Sequence, residues 1–183
     1  IRTKIITGSI KVEKQDKETK KDSQGLGSLD SASYDVIRTD TDENMGTLTW
    51  EAGKGSNEIS GLYTRLPDGK TPISYKLVET KAPTGYHSGE FVENNLDNEV
   101  PFSFNSDSAN ENGIVDLTVT GYDSVSKIQL NKVDSKGNPV KGATLQLLDG
   151  ETNKKVKFNY NETDSDDQKV WVTDGKPLEI RGL

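Results

Sequence analysis

Apolar residues recur at every second position in short runs along the chain: Ile10 and Val12, Tyr34 and Val36, Leu48 and Trp50, Tyr75 and Leu77, then Val115, Leu117 and Val119. A period of two puts these side chains on one face of a strand and their polar neighbours on the other. Clusters of Asn, Gly, Pro and Asp, the residues that favour turns, separate the runs. No segment sustains a helical period with caps. Short alternating strands divided by turns predict an all-β protein built on the sandwich plan.

The pattern also repeats itself. Ser9-Ile-Lys-Val-Glu-Lys-Gln-Asp16 returns as Lys127-Ile-Gln-Leu-Asn-Lys-Val-Asp134, and Leu29-Asp-Ser-Ala-Ser-Tyr-Asp-Val36 as Val140-Lys-Gly-Ala-Thr-Leu-Gln-Leu147. Ile59-Ser-Gly-Leu62 matches Ile180-Arg-Gly-Leu183, and each of Trp50 and Trp171 precedes the closing leucine by twelve residues. Four matches in the same order predict two copies of one domain type in tandem. The expected division is an exit strand of a preceding domain at 1–7, a complete domain at 8–126, and the N-terminal part of a second domain at 127–183. The second copy is expected to lack core strands and to expose sheet edges.

Strand parity carries the chemistry. Lys14 shares a face with Ile10 and Val12, Glu79 with Tyr75 and Leu77, and Asp123 with Val115, Leu117, Val119 and Gly121. A lysine and two carboxylic acids are thus expected on core-facing stripes, with Gly121 the position where a bulge would break the parity. Asp116 is the fallback partner for the lysine, although its parity sets it opposite the apolar stripe.

The segment Leu77-Val-Glu-Thr-Lys-Ala-Pro-Thr-Gly-Tyr86 resembles the E-box of the Cna B-type (prealbumin-like) domains of Gram-positive sortase-assembled pilins and adhesins. The Lys-any-Asp of the first strand and the Gly-Ala after Pro139-Val140 are similar to the same family. The resemblance covers 8–126 and the second copy throughout, and it implies Ig-like, prealbumin-like sandwiches in tandem. It further implies an autocatalytic isopeptide bond from Lys14 to an acceptor on the last strand, with Glu79 as proton shuttle and Lys132 as the equivalent lysine of the second copy. The acceptor maps to Asp123, nine residues before Lys132, where the family pattern of Val-any-Asn is replaced by Thr120-Gly-Tyr-Asp123. Burial disfavours charge on amines and carboxyls alike. An uncharged amine is a nucleophile, and a protonated acid can polarise the acceptor carbonyl. Contact between the groups supplies the effective molarity that amide formation otherwise lacks. Such a bond, like a disulfide, would add on the order of a few kcal/mol by restricting the unfolded chain.

The implied role is a structural stalk or pilin module on the outside of a Gram-positive cell wall, partnered by neighbouring domains or other pilin subunits. It is a self-processing protein rather than an enzyme with turnover, and it needs no cofactor. The alternative is a ligand-binding adhesin domain for host matrix protein or glycan. Its surface would be sought in the long insertion between Glu79 and Asp123, with Phe91, Phe102 and Phe104, whose simpler reading is an extra strand pair packed on the sandwich.

Composition narrows the field. A net charge of −7 opposes nucleic-acid binding, and no apolar stretch reaches the roughly 20 residues of a membrane helix. The absence of cysteine excludes disulfides and thiolate chemistry. Asp40, Asp42, Asn44 and Glu51 have the spacing of a calcium loop, but Met45 stands where the loop requires glycine, so an acidic hairpin is expected. Asp164, Asp166 and Asp167 form a second acidic loop. His87, the single histidine, has no nucleophile-elbow sequence to serve. The two tryptophans, at equivalent repeat positions, are expected in cores rather than on a glycan platform.

Overall fold

The computed structural model describes residues 4–56, 58–90, 98–156 and 170–183. The protein is all-β, with one three-residue 3₁₀ turn at Ser106–Ser108 as the helical element among these residues. The strands are β1 (Thr7–Asp16), β2 (Ser33–Arg38), β3 (Glu43–Glu51), β4 (Gly55–Ser56), β5 (Glu58–Tyr63), β6 (Ser74–Lys81), β7 (Tyr86–Glu90), β8 (Glu99–Ser103) and β9 (Ile114–Val125). Four further strands follow among the described residues: β10 (Lys127–Leu130), β11 (Lys141–Leu145), β12 (Trp171–Asp174) and β13 (Leu178–Arg181).

The first nine strands make a sandwich of two sheets, ordered β5-β1-β9-β7 and β4-β3-β2-β6-β8. The alternating runs supply its filling. Ile10, Val12, Tyr34, Val36, Leu48, Tyr75 and Leu77 are all at most 1% exposed and form one cluster, joined by Val115. β1 and β9 lie side by side and parallel, in unbroken register from Thr7 opposite Ile114 to Asp16 opposite Asp123. No bulge interrupts this pairing at Gly121, so the parity expected for Asp123 holds.

Among its described residues the insertion forms no strand pair of its own. β7 pairs with the edge of one sheet, along β9, and β8 with the edge of the other, along β6. A short strand buries its apolar side more fully by extending an existing sheet than by pairing in isolation. Phe102 stacks on Tyr75 at 5.5 Å between ring centroids, and Phe104 meets both rings edge-on while covering Gly8. Phe104 is buried in the core and Phe102 is half-buried against it; Phe91 lies outside the described residues, as do Asp164, Asp166 and Asp167.

Residues that match between the two stretches of sequence also pair alike. Ile10 faces Ile59 across β1 and β5, and the equivalent residues Ile128 and Ile180 face each other across β10 and β13. Trp171 and Ile180 are buried together, whereas Trp50 is half-buried between two clusters of the sandwich. Among the described residues β10 has β13 as its one partner and ends at Leu130, where β1 gains β9 on its other side and continues. Residues of the C-terminal strands meet the sandwich at the far end of β1. Leu26 packs on the Trp171 cluster, its amide donates to the Arg181 carbonyl, and the Gly182 amide donates to the carbonyl of Ser126. No helix among the described residues is long and apolar enough to cross a membrane.

Phe104→Ala should therefore cost about 3–5 kcal/mol, read as a fall in the urea unfolding midpoint. An unchanged midpoint would place the ring outside the core.

Candidate functional site

The strands bring Lys14, Glu79 and Asp123 together inside the sandwich, at 3%, 5% and 0% exposure. Lys14 and Asp123 come from neighbouring strands of one sheet and Glu79 from the facing sheet, so the cluster spans the core. Lys14 Nζ lies 2.9 Å from Glu79 Oε1, to which it donates a hydrogen bond, and 2.7 Å from Asp123 Oδ2. The second contact is off the direction of a hydrogen bond.

Backbone register explains how the lysine reaches its partner. Lys14 is directly opposite Gly121, two residues before Asp123 on the same face. With no side chain at 121, the lysine can lean along β9 toward the carboxyl. A Cβ on Gly121 would stand 2.8 Å from the Tyr34 hydroxyl and 3.5 Å from Lys14 Nζ. Tyr34, 1% exposed, faces Glu79 in the β2–β6 pairing, and its ring centroid lies 5.4 Å from Lys14 Nζ.

The electrostatics follow from the charge count. Two carboxylates and one ammonium, all ionised, would leave a net negative charge in a dry interior, which is costly. Asp123 answers by holding a proton: burial, with the Glu79 charge adding to it, pushes its carboxyl up to about 7 despite the opposing pull of Lys14. Tyr34 is raised as well, first by burial and then by the charges of Glu79 and Asp123.

One strand position further along, Asp16 behaves in the opposite way. It is fully buried, yet it accepts from the amides of Glu18 (2.7 Å) and Thr19 (2.9 Å), from Gln24 Nε2 (3.0 Å) and from the Tyr86 hydroxyl (2.7 Å). Burial tends to raise its pKa, but these donors outweigh it and hold the carboxyl below its ordinary value. Asp16 thus ties Tyr86 to the β1–β2 connection, a role not read from the sequence.

The remaining candidates stand apart. Asp116 is exposed, opposite the apolar stripe, and accepts from Asn110 Nδ2 at 3.3 Å. Lys132 is exposed and donates to the carbonyl of Val133. Asp40 pairs with Arg38, and Glu51 with Lys54. Glu51 stands at the far end of β3 from the hairpin, roughly 25 Å along an extended strand, so the four residues with calcium-loop spacing do not surround one point. No group of three or more His, Cys, Asp or Glu among the described residues could hold a metal ion. His87 is exposed on β7, opposite Ser124.

The chain matches no protein-family model and no curated protein. Among solved structures it is similar to the shaft pilin SpaA from Lactobacillus rhamnosus GG, at 12% identity over 98% of this chain and 83% of that one, with a TM-score of 0.43. It is also similar to the full-length major pilin SpaD from Corynebacterium diphtheriae, at 10% identity over 76% and 34% of the two chains, TM-score 0.40. The pilus adhesin SpaC from Lactobacillus rhamnosus GG aligns at 14% identity over 94% and 22%, TM-score 0.33. Likeness of this degree assigns no role to the present chain.

Tyr86→Phe should cost about 1–3 kcal/mol near neutral pH by removing a donor from buried Asp16. A depressed carboxyl stabilises the fold above its unfolded value of 3.8, and that stabilisation is lost as pH falls through the lower folded value. The gap between wild type and variant should accordingly close below about pH 4, as measured by urea unfolding across pH. A gap that persists in acid would detach the tyrosine's contribution from Asp16.

Proposed function

We propose that this protein is a structural stalk module, of the pilin type, of a Gram-positive cell-surface protein, and that its sandwich locks itself with an amide bond between Lys14 and Asp123. The observation that carries the reading is the fully buried Lys14–Asp123 contact at 2.7 Å between the first and last strands of the sandwich, with Glu79 at 2.9 Å from the same amine. The resemblance of the Leu77–Tyr86 segment to an E-box supports it independently. On this reading residues 8–126 form one module and a second copy of the same type starts at 127, both displayed outside the cell wall and joined to neighbouring domains or subunits.

The chemistry is a condensation. Lys14 Nζ forms a bond to Asp123 Cγ, and the bond from Cγ to one carboxyl oxygen breaks. The ammonium gives up two protons in all. The first passes to Glu79, which makes the amine nucleophilic, and returns to the departing hydroxyl so that one water is released; the second, lost as the amide forms, is taken up by Glu79. A carboxyl that holds its proton to about pH 7 is the electrophile this step needs. The product exchanges a buried ion pair for a neutral amide, which removes the cost of charge in the core. It also closes a loop of about 110 residues, worth roughly 4–5 kcal/mol by analogy with a disulfide.

Intact mass under denaturing conditions is the direct test. Wild type should be lighter than its sequence by one water, Glu79→Ala and Asp123→Ala should have full mass, and tandem mass spectrometry should recover a Lys14–Asp123 branched peptide. A wild type at full mass would remove the bond. The rate of bond formation should also fall as pH rises through about 7, where Asp123 gives up its proton; a rate rising over that range would contradict the acceptor's part in the step.

A further inference from the structure

The cluster contains a fourth polar group that the condensation as written does not use. Tyr34 has 1% of its surface exposed and stands directly opposite Glu79 across the β2–β6 pairing. Its hydroxyl interacts with the Glu79 carboxylate. The same hydroxyl fills the space over Gly121 where a side chain would otherwise be, 2.8 Å from the position of a Cβ, beside Lys14 Nζ. The titratable groups around it are Glu79 from β6, Lys14 from β1 and Asp123 from β9.

Resting on the reading of a Lys14–Asp123 bond, we propose that Tyr34 is a positioning residue for bond formation: its phenol holds the Glu79 carboxyl with Oε1 on the Lys14 amine, and Gly121 is glycine because the phenol occupies the space of its side chain. Glu79 has to accept a proton from the amine and return it to the departing oxygen. A carboxyl on two rotatable bonds loses rate for every rotamer that points elsewhere. A donor fixed by a packed aromatic ring removes those rotamers, since the ring is locked by the core around it. This gives a reason for the Thr120-Gly-Tyr-Asp123 sequence: the residue facing the lysine is small so that the phenol can sit over it.

The test follows bond formation in the full chain made by cell-free translation, quenched in acid at intervals and weighed intact, at several pH values. Tyr34→Phe keeps the ring and removes the hydroxyl, and should slow the loss of water about tenfold. It should also move the midpoint of the rate–pH curve, because Tyr34 stands directly opposite Glu79, the group that carries the proton. Gly121→Ala should slow the reaction by pushing the hydroxyl aside. The double variant should react no more slowly than Tyr34→Phe alone, because the obstacle to the new methyl has gone. Should Tyr34→Phe lose its near-ultraviolet circular dichroism in the unreactive Glu79→Ala background, Gly121→Ala, which leaves the tyrosine in place, carries the test by itself. Tyr34→Phe at the wild-type rate, or slowed equally at every pH, would overturn the assignment, as would a double variant slowed by the product of the two single effects. A wild type that never loses water would defeat the bond itself, an outcome distinct from these.

Discussion

The structure turns on the parallel pairing of β1 with β9. Ten consecutive residues of the first strand lie against ten of the last strand of the sandwich without a slip. Side-chain parity has a period of two, so one residue of slippage would move Lys14 or Asp123 to the outside of the sheet. The unbroken register fixes which residue faces the lysine, which carboxyl it reaches, and where the facing sheet must deliver Glu79 and Tyr34. A polar cluster this dry persists because the surrounding apolar packing holds it in place and each charge has a partner.

Asp16 and Asp123 show how strongly the surroundings decide what one residue type does. They are adjacent in register and equally buried, yet they shift in opposite directions. Asp16 sits where the chain turns out of β1, among free amides and the Tyr86 hydroxyl, and stays ionised as a structural acceptor. Asp123 faces the interior, where the loss of water, with the Glu79 carboxyl beside it, favours the neutral acid against the pull of Lys14. The first is solvated by the protein and the second is not. That difference suits one to anchoring and the other to the acceptor's part under the proposed function.

Much of this was legible from period-two alternation alone. The stripes on β1, β2, β6 and β9 give the sheet faces, and the parity of Lys14, Glu79 and Asp123 puts them on the inside. Lys14 is the instructive case, since nothing about a lysine by itself suggests burial; the alternation around it does. Side-chain parity does not say which strands are neighbours, so the parallel contact of β1 with β9 and the separate destinations of β7 and β8 were not available from it. Gly121 could be seen as a point of weakness, while its use, room for a phenol from the facing sheet, depends on a contact nearly ninety residues away in sequence. The Asp16–Tyr86 hydrogen bond links residues seventy apart and escaped notice for the same reason.

The position of the proposed bond along the two strands matters as much as its existence. The chain enters the sandwich at Thr7 and leaves it after Val125, at opposite ends of the parallel pair. Tension applied through the chain would therefore shear β1 against β9, loading their hydrogen bonds together. With Lys14 joined to Asp123, the load would run along β1 to Lys14, cross to β9 and leave two residues later, so residues 15–122 would carry none of it. It would pass next into the contact between the sandwich and the C-terminal strands, where Gly182 lies so close to Gly27 and Gly85 that a Cβ on it would overlap the Gly27 backbone. Gly182 has φ +79° and Gly85 φ +78°, the left-handed region that glycine adopts without strain. Around that contact Arg181 pairs with Glu18 at 3.2 Å and with Gln24, and Lys127 pairs with the same glutamate. Gln24 in turn donates to Asp16. The far end of β1 is thus the point where the proposed bond, the hydrogen bonds of Asp16 and the contacts of Arg181 and Lys127 with Glu18 and Gln24 lie together.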